Sequence, residues 1–275
     1  AGQNWACMAV PIDPGSDDWR TVLDEAMETI SVEAVVVCTP ITTTVEINEA
    51  YTKTQEILAT YSRFIFIMLA FRGADNSTVT WAAYATIANG IVDGVVANRV
   101  MVVPQLHGNN LGVLAGRLSS LAVSIADSPM RVETGALVGL GAIPTDLNGS
   151  PLDNGVLSQL DGDRYSVPQT YSDYPGTYWA DGNMLEVPAG DFQVVENLRV
   201  LDYCARRVRI LAIARIASRV LNSTPNSIEH NKTYFMRPLR AASRTIKFND
   251  IPFPGMIQPP EEGDITIVWI TKYEV

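Results

Sequence analysis

The sequence predicts an α/β protein, a doubly wound and mostly parallel sheet domain followed by a small α+β domain. Three observations support this prediction. Apolar runs alternate with helix-like stretches over residues 1–140, and a β-α-β-α order is typical of layered α/β domains. The apolar runs are continuous, as in parallel strands that helices cover on both faces. Over residues 191–275 the order changes to helix, helix, strand, strand, which fits a small α+β domain.

The apolar runs set the predicted strands of the first domain. They fall at Ala6–Ile12, Ala34–Cys38, Phe64–Ala70, Val100–Val103 and, more weakly, Val132–Val138. Helices are predicted between them, at about residues 17–30, 43–61, 77–96 and 110–126. Ser16-Asp17-Asp18 precedes the first helix and Asp75-Asn76-Ser77 the third. Such residues start helices because their side chains accept hydrogen bonds from the first free backbone N–H groups.

A turn-rich, aromatic segment connects the two domains over residues 141–190. Gly, Pro, Asn and Asp recur there in close succession, which predicts turns with short extended pieces between them. The segment also carries five aromatic side chains: Tyr165, Tyr171, Tyr174, Tyr178 and Trp179. Aromatic rings this dense need something to pack on. They pack either on their own domain or on another subunit, and in the second case Trp179 is an interface residue.

A long helix opens the second domain, at about residues 191–220. Its apolar residues recur at spacings of three and four, which gives one stripe: Val194, Leu198, Leu201, Ala205, Val208 and Ala212. A neighbouring stripe is charged: Arg199, Asp202, Arg206 and Arg209. One aspartate cannot neutralise three arginines along a helix. We therefore expect the three arginines to be exposed, to serve a subunit contact and to contribute little to folding.

The rest of the second domain, residues 191–275 in all, is predicted as one more helix and two strands. The helix spans about residues 226–243, and the strands are Thr245–Phe248 and Ile265–Tyr273, joined by a loop rich in Pro and Gly. The last strand is strongly β-forming, and the sequence stops just after it, which leaves an unprotected edge. No Met precedes Ala1. We therefore expect a truncated domain in a fragment cut at both ends.

Charge is distributed unevenly along the chain. Residues 1–190 carry 8 basic and 21 acidic side chains, whereas residues 191–275 carry 12 and 9, and the whole chain has a net charge of −10. A chain this acidic repels phosphate backbones, so nucleic-acid binding is not expected. The sequence contains no apolar run of about 18 residues, so membrane insertion is not expected either. The two halves are either differently solvated surfaces or the complementary ends of a subunit that meets its copies head to tail.

Motifs for catalysis, metals and cofactors are missing from the sequence. It contains no GxSxG, no P-loop and no three-glycine dinucleotide turn. Cys7, Cys38 and Cys204 lack metal-binding spacing, and the first two lie in apolar runs, where a thiol behaves as a small hydrophobe. A calcium-like start at Asp146 has Leu157 where a bidentate Glu is needed. We predict no catalytic residue, no metal and no cofactor.

Several segments, taken in order, resemble one family. They are Leu114–Arg117, Ser128-Pro129, Gly135–Leu137, Leu160–Tyr165, Tyr174–Leu185, Asp191-Phe192 and the arginine-bearing helix Asn197–Val220. This succession resembles the contractile-tail sheath proteins of bacteriophages and phage-tail-like bacteriocins. In those proteins a tryptophan-glycine segment precedes a strand, a long helix, a second helix and a small α+β domain. The resemblance covers residues 110–220 well and residues 220–275 loosely.

The resemblance implies a structural, non-enzymatic subunit of the virion tail, assembled in the bacterial cytoplasm. Such subunits stack in helical rings around a tail tube protein, and their contraction drives the tube through a cell envelope. The family joins copies through extended arms that add strands to a neighbour's small sheet. On this view the last predicted strand accepts another subunit's arm, with Ile267 and Trp269 on one face. Because the arms are missing here, we expect a monomer in dilute solution.

Two other functions stay open. The first is an α/β enzyme with a small-molecule site near Asp13, Thr39 and His107. His107 follows the fourth predicted strand, where open α/β sheets place ligands, although a loop histidine is more often bonded to backbone. The second is another structural component of a phage or secretion system.

Overall fold

The computed structural model describes residues 7–13, 15, 17–120, 124–248 and 251–269 of the chain. The chain forms two compact units, Ala1–Leu198 and Arg199–Val275. The division falls inside a long helix rather than in a loop.

A three-stranded parallel sheet lies at the centre of the first unit. Its strands are β1 (Ala34–Ile41), β2 (Phe66–Phe71) and β3 (Val100–Pro104), and they lie in the order β1-β2-β3. All residues of β2 and β3 are buried, as their uninterrupted apolar sequences predict. The parallel sheet is therefore confirmed. The strand order runs in one direction across the described residues, so the doubly wound arrangement stays a prediction.

Four helices of the first unit match the predicted ones. They are α1 (Trp19–Thr29), α2 (Thr44–Tyr61), α3 (Trp81–Val92) and α4 (Asn110–Leu118). Their starts have local causes. Asp18 accepts a hydrogen bond from the backbone N–H of Arg20, and Thr80 accepts one from Ala83. Thr43 and Glu46 form a capping box at the start of α2.

The sheet separates two apolar clusters. Ile67, Leu69 and Phe71 of β2 belong to the first cluster, together with residues of α1, α2 and α3. Phe66 and Met68 belong to the second, together with α4. Alternate residues of a strand point to opposite faces, so helices cover both faces of this sheet.

Two predicted strands of the first domain are wrong. Residues 7–12, the described part of the first one, contain no strand and are mostly exposed; Ala6 lies outside the described residues. The weaker prediction at Val132–Val138 is a short 3-10 turn, Val132–Thr134, followed by irregular chain. Main-chain carbonyls in this region bind the Arg117 side chain, so they are not available for a strand ladder.

The segment predicted as turns contains a helix and a hairpin. Helix α5 spans Asn154–Gly162, and the antiparallel strands β4 (Pro168–Tyr171) and β5 (Tyr174–Trp179) follow it. The sequence Asp153-Asn154-Gly155 indicates a turn, but the Asp153 carboxylate accepts a hydrogen bond from the Val156 N–H at 2.9 Å. It therefore caps a helix whose Leu157 and Leu160 are buried.

This segment also binds the outer edge of β3. The Ser166 N–H donates to the Val102 carbonyl at 3.1 Å, and the Leu185 N–H donates to the Val100 carbonyl at 3.0 Å. The Ala97 N–H in turn donates to the Leu185 carbonyl at 2.6 Å. Main chain from the turn-rich segment thus satisfies the backbone groups that an open sheet edge would leave free.

In the second unit, the predicted second helix is broken into two. Helix α6 (Val195–Ile213) crosses the unit boundary and is followed by α7 (Pro225–Phe235) and α8 (Arg237–Ala242). Pro238 sits in the first turn of α8. Because proline has no N–H to donate and clashes with the preceding turn, the helix ends and restarts there.

The strands of the second unit are β6 (Ile246–Phe248) and β7 (Ile251–Phe253), an antiparallel pair. The first confirms the strand predicted at Thr245–Phe248. The prediction of a strand at Ile265–Tyr273 is wrong for residues 265–269, which have no regular structure, and residues 270–273 lie outside the described residues. The strand that pairs with β6 lies instead inside the predicted loop. A segment close in sequence pairs at a small entropic cost of loop closure.

Candidate assembly surfaces

The charged stripe on α6 is not uniformly exposed. The side chains of Arg199 and Asp202 are buried, with 7% and 1% of their surface exposed. Arg206 and Arg209 are half-buried. The expectation of three exposed arginines is therefore wrong for Arg199, whose side chain is buried. A sequence stripe reports only that residues share a face and not how deeply the face is buried.

The later part of α6 presents a surface that is both basic and apolar. Arg206, Arg209, Ile210 and Ile213 follow an i, i+3, i+4, i+7 spacing, so they share one face of the helix. Ile210 is 63% exposed and Ile213 is 49% exposed. We call these four residues the arginine–isoleucine face. The sequence singled out its arginines but missed its isoleucines, which the apolar stripe did not include.

Exposed apolar side chains also appear where the predicted stripe was expected to be buried. Leu201 of that stripe is 44% exposed. Beyond the end of α6, Ile216 and Val220 are 75% and 47% exposed. Large apolar groups grouped on a surface mark a site of interaction more often than isolated ones do.

Stacked cations fix the chain that follows α6. The Arg215 guanidinium lies 4.0 Å from the centre of the Tyr234 ring, and the Arg237 guanidinium lies 5.0 Å from the same centre. A guanidinium over an aromatic ring stabilises by about 0.5–1 kcal/mol at an exposed site. The Arg215 contact therefore connects the segment after α6 to α7, and the Arg237 contact connects the start of α8 to α7.

Trp179 is a core residue. It is completely buried in the second apolar cluster, so the expectation that it contacts another subunit is wrong. Tyr165 is also completely buried, and its hydroxyl donates to the Ala88 carbonyl at 2.8 Å. Of the five aromatic residues of this segment, Tyr174 alone is exposed. Tyr165 and Trp179 pack in the apolar clusters of the parallel sheet, whereas Tyr171 and Tyr174 pack against Tyr178.

Ile267 and Trp269 are half-buried and lie in chain without regular structure. Their proposed role as one face of an acceptor strand is therefore not visible in the described residues. Cys7 and Cys38, expected to behave as buried hydrophobes, are exposed, whereas Cys204 is buried.

Arg117 joins three segments on which the resemblance to sheath proteins rests. Its Nε donates to the Pro129 carbonyl at 2.6 Å, and its Nη1 donates to the Gly135 carbonyl at 3.1 Å. Its Nη2 donates to the Arg131 carbonyl at 2.8 Å. Burial lowers the pKa of the Arg117 guanidinium from its usual value. In the sequence these segments are related only by their order. In the structure the Arg117 side chain connects them.

The residues of the alternative enzyme site are occupied by local structure. The backbone N–H of His107 donates to Oδ1 of Asn110 at 2.7 Å, and burial lowers the pKa of the His107 imidazole. Asp13 accepts a hydrogen bond from the Gly15 N–H, and Thr39 lies exposed in β1. No hydrogen bond joins Asp13, Thr39 and His107 in the part of the chain that the structure describes.

The calcium-like segment is a turn that caps α3. The Asp146 carboxylate accepts hydrogen bonds from the N–H groups of Trp81, Asn148 and Ser150 at 3.2, 2.9 and 2.9 Å. Desolvation raises the pKa of Asp146, but these backbone bonds outweigh it and hold the pKa below its usual value. Within the described residues, no three His, Cys, Asp or Glu side chains are grouped to hold a metal ion. Nor is any described helix long and apolar enough to span a membrane.

Two family models match nearly the whole chain. The N-terminal domain of DUF2586 matches residues 1–183, and its C-terminal domain matches residues 191–275. The chain belongs to the DUF2586 family. A DUF2586 relative in Haemophilus phage HP1 (strain HP1c1), whose name assigns it to the tail sheath, is 42% identical over 284 aligned positions. The alignment covers 100% of this chain and 75% of the relative.

Solved structures of contractile injection systems resemble this DUF2586 protein in fold. One is a chain of the PVC sheath complex in its contracted state, with a TM-score of 0.50 and 14% identity over 92% of this chain and 74% of the other. A second is a chain of the anti-feeding prophage baseplate, with a TM-score of 0.50 and 12% identity over 95% and 75% of the two chains. The resemblance to contractile-tail sheath proteins is confirmed, and the relatives indicate a contractile tail sheath subunit.

Proposed function

We propose that this DUF2586 protein is the structural subunit of a contractile tail sheath. Its copies stack in helical rings around a tail tube, and contraction of the rings drives the tube through a cell envelope. The observation that carries the proposal is the 42% identity to a phage protein named for the tail sheath, which extends over the whole chain. The fold shared with a contracted sheath subunit supports it.

The partners in this proposal are copies of the chain and a tail tube protein. The protein assembles in the bacterial cytoplasm and then resides in the tail of the virion. It has no enzymatic role, and the His107 loop supports this assignment because its hydrogen bonds serve local structure. Helical growth needs a surface that meets a different surface of the next copy, so that contacts repeat without closing.

The small sheet of the second unit is where we propose that neighbouring copies add strands. Strands β6 and β7 form a two-stranded sheet in the described residues, and a sheet of this size is marginal alone. Ile267 and Trp269, in the chain that follows, are proposed to pack against an incoming strand. Main-chain hydrogen bonds supply the affinity in this mode of recognition, and alternating side chains supply the register.

The proposal is tested by expressing the full-length protein and imaging it by negative-stain electron microscopy. We expect hollow tubules or stacked rings, with and without the product of a neighbouring tube gene. A protein that remains dispersed under both conditions, while folded by circular dichroism, contradicts the sheath assignment. A second test replaces Ile246, whose side chain is 59% exposed in β6, with Pro. The Ile246→Pro substitution should abolish tubules, because proline removes a backbone donor from the sheet.

A further inference from the structure

The surfaces of the two units differ strongly in charge. Ala1–Leu198 carries 8 basic and 23 acidic residues, a net charge of −15, and Arg199–Val275 carries 12 and 7, a net charge of +5. The basic side chains of the first unit are largely used inside it. Arg63 donates to the Ile30 carbonyl at 2.5 Å, Arg164 to the Val92 carbonyl at 2.5 Å, and Arg117 to the carbonyls described above. The acidic surface of this unit is therefore left largely uncompensated.

One part of that acidic surface combines carboxylates with an exposed apolar side chain. Val45, Glu49, Thr52 and Glu56 follow an i, i+4, i+7, i+11 spacing, so they share the outer face of α2. They line a shallow groove of about 240 Å³ that Arg20 also borders. Val45 is 61% exposed. We call this the α1–α2 groove.

Carboxylates outnumber cations around the groove, although the two cations and two carboxylates that line it balance. Arg20 bridges Asp18 and Glu49 at 2.8 and 3.1 Å. Lys53 bridges Asp24 and Glu56 at 2.6 and 3.1 Å. Each cation is thus shared by two carboxylates, and Glu25 and Glu28 add two more exposed acids on α1. The groove attracts a partner that carries cations beside an apolar surface.

We infer that the arginine–isoleucine face of one copy docks in the α1–α2 groove of a second copy. This inference rests on the proposed function and names the surfaces of one sheath contact. Arg206 and Arg209 meet Glu49 and Glu56, and Ile210 covers Val45. The second copy fits better than an anionic lipid surface or a nucleic acid, because both would repel a first unit with a net charge of −15. The two surfaces belong to different units, so the contact is heterologous and can repeat from copy to copy in a ring or a helix.

Charge exchange in the full-length protein tests the inference. We expect Arg206→Glu/Arg209→Glu to reduce the sedimentable, tubule-forming fraction by about tenfold or more, since four attractive pairings become repulsive. Glu49→Arg/Glu56→Arg should do the same. Combining all four substitutions in one chain should restore tubules, because the pairs across the contact between copies are again of opposite sign. The matched control is Arg219→Glu, the same charge change at an exposed arginine outside the face, which should assemble normally.

A crosslink identifies the partner surface without relying on the stability of charge variants. Tubules that carry Ile210→p-benzoylphenylalanine in an otherwise wild-type chain are irradiated, and crosslinked peptides are read by mass spectrometry. We expect peptides from α1 or α2 of another copy. Crosslinks to another part of the chain or to the tube protein, or four-fold charge variants that do not reassemble although folded, overturn the inference and leave the sheath function intact. Failure of the wild-type protein to form tubules overturns both.

Discussion

At the scale of single residues, the Arg117 side chain holds several segments of the first unit together. Its guanidinium donates to the main-chain carbonyls of Pro129, Arg131 and Gly135. Lysine carries the same charge on a compact ammonium without the planar fork of donors. We expect Arg117→Lys to lower the free energy of unfolding by about 1–3 kcal/mol, the cost of unpaired buried acceptors. Urea denaturation measures it, with exposed Arg72→Lys as control; equal unfolding energies for the two variants contradict this role.

His107 makes the stability of the first unit depend on pH. Burial lowers the pKa of its imidazole in the folded state, so the unfolded chain binds a proton first as the pH falls. The folded state therefore loses stability below about pH 6.5, the ordinary histidine value. We expect the melting temperature of His107→Gln, measured relative to that of the wild type, to be higher at pH 5 than at pH 7.5. His230→Gln, at the exposed second histidine, is the control, and a pH-independent difference for His107→Gln would refute the expectation.

At the scale of secondary-structure elements, α6 separates folding from assembly along its length. Arg199 is buried near its start, and Arg209, almost three turns further along, is half-buried. Reversing a buried charge leaves it without compensation, so we expect Arg199→Glu to lower the free energy of unfolding by about 3 kcal/mol or more. Arg209→Glu should cost well under half of that. Thermal melts of the two variants measured side by side decide this, and equal losses would show that the face is uniform.

Helix α5 is a further element whose contribution can be measured. Leu160 is completely buried in the first apolar cluster, in a segment whose sequence indicates turns. We expect Leu160→Ala to lower the free energy of unfolding by about 2–5 kcal/mol, because it removes apolar contacts and leaves a cavity. Ser158→Ala, at an exposed position of the same helix, should change it by less than about 0.5 kcal/mol. A loss for Leu160→Ala as small as the control would mean that α5 contributes little to the core.

At the scale of the whole molecule, the charge difference between the units predicts salt-sensitive assembly. Units of net −15 and +5 on different copies attract each other over a distance set by ionic strength. We expect the initial rate of tubule formation by the full-length protein, followed by light scattering, to fall when salt rises from about 0.05 to 0.5 M. The four-fold charge-exchanged protein, whose units carry net charges of −11 and +1, should show a weaker dependence on salt. A rate that rises with salt would indicate that apolar burial dominates the contact instead.

The sequence by itself determined the parts of this protein that local periodicity encodes. The strands β2 and β3 and the helices α1 to α4 were predictable, because strand and helix periods are properties of neighbouring residues. Helix α5 and β7 were not. The turn-like residues before α5 act as a helix cap because Leu160 is buried in the core. The residues of β7 form a strand because they pair with β6.

Only the tertiary structure decided which candidate assembly residues lie on the surface. Trp179 and Arg199 match interface residues in type and spacing, yet both side chains are buried. Ile210 and Ile213, which lie outside the predicted apolar stripe, are exposed beside Arg206 and Arg209. Depth depends on what the rest of the chain packs against each face of a helix. Periodicity defines the faces, and contacts between residues distant in sequence determine which of them remain available to a partner.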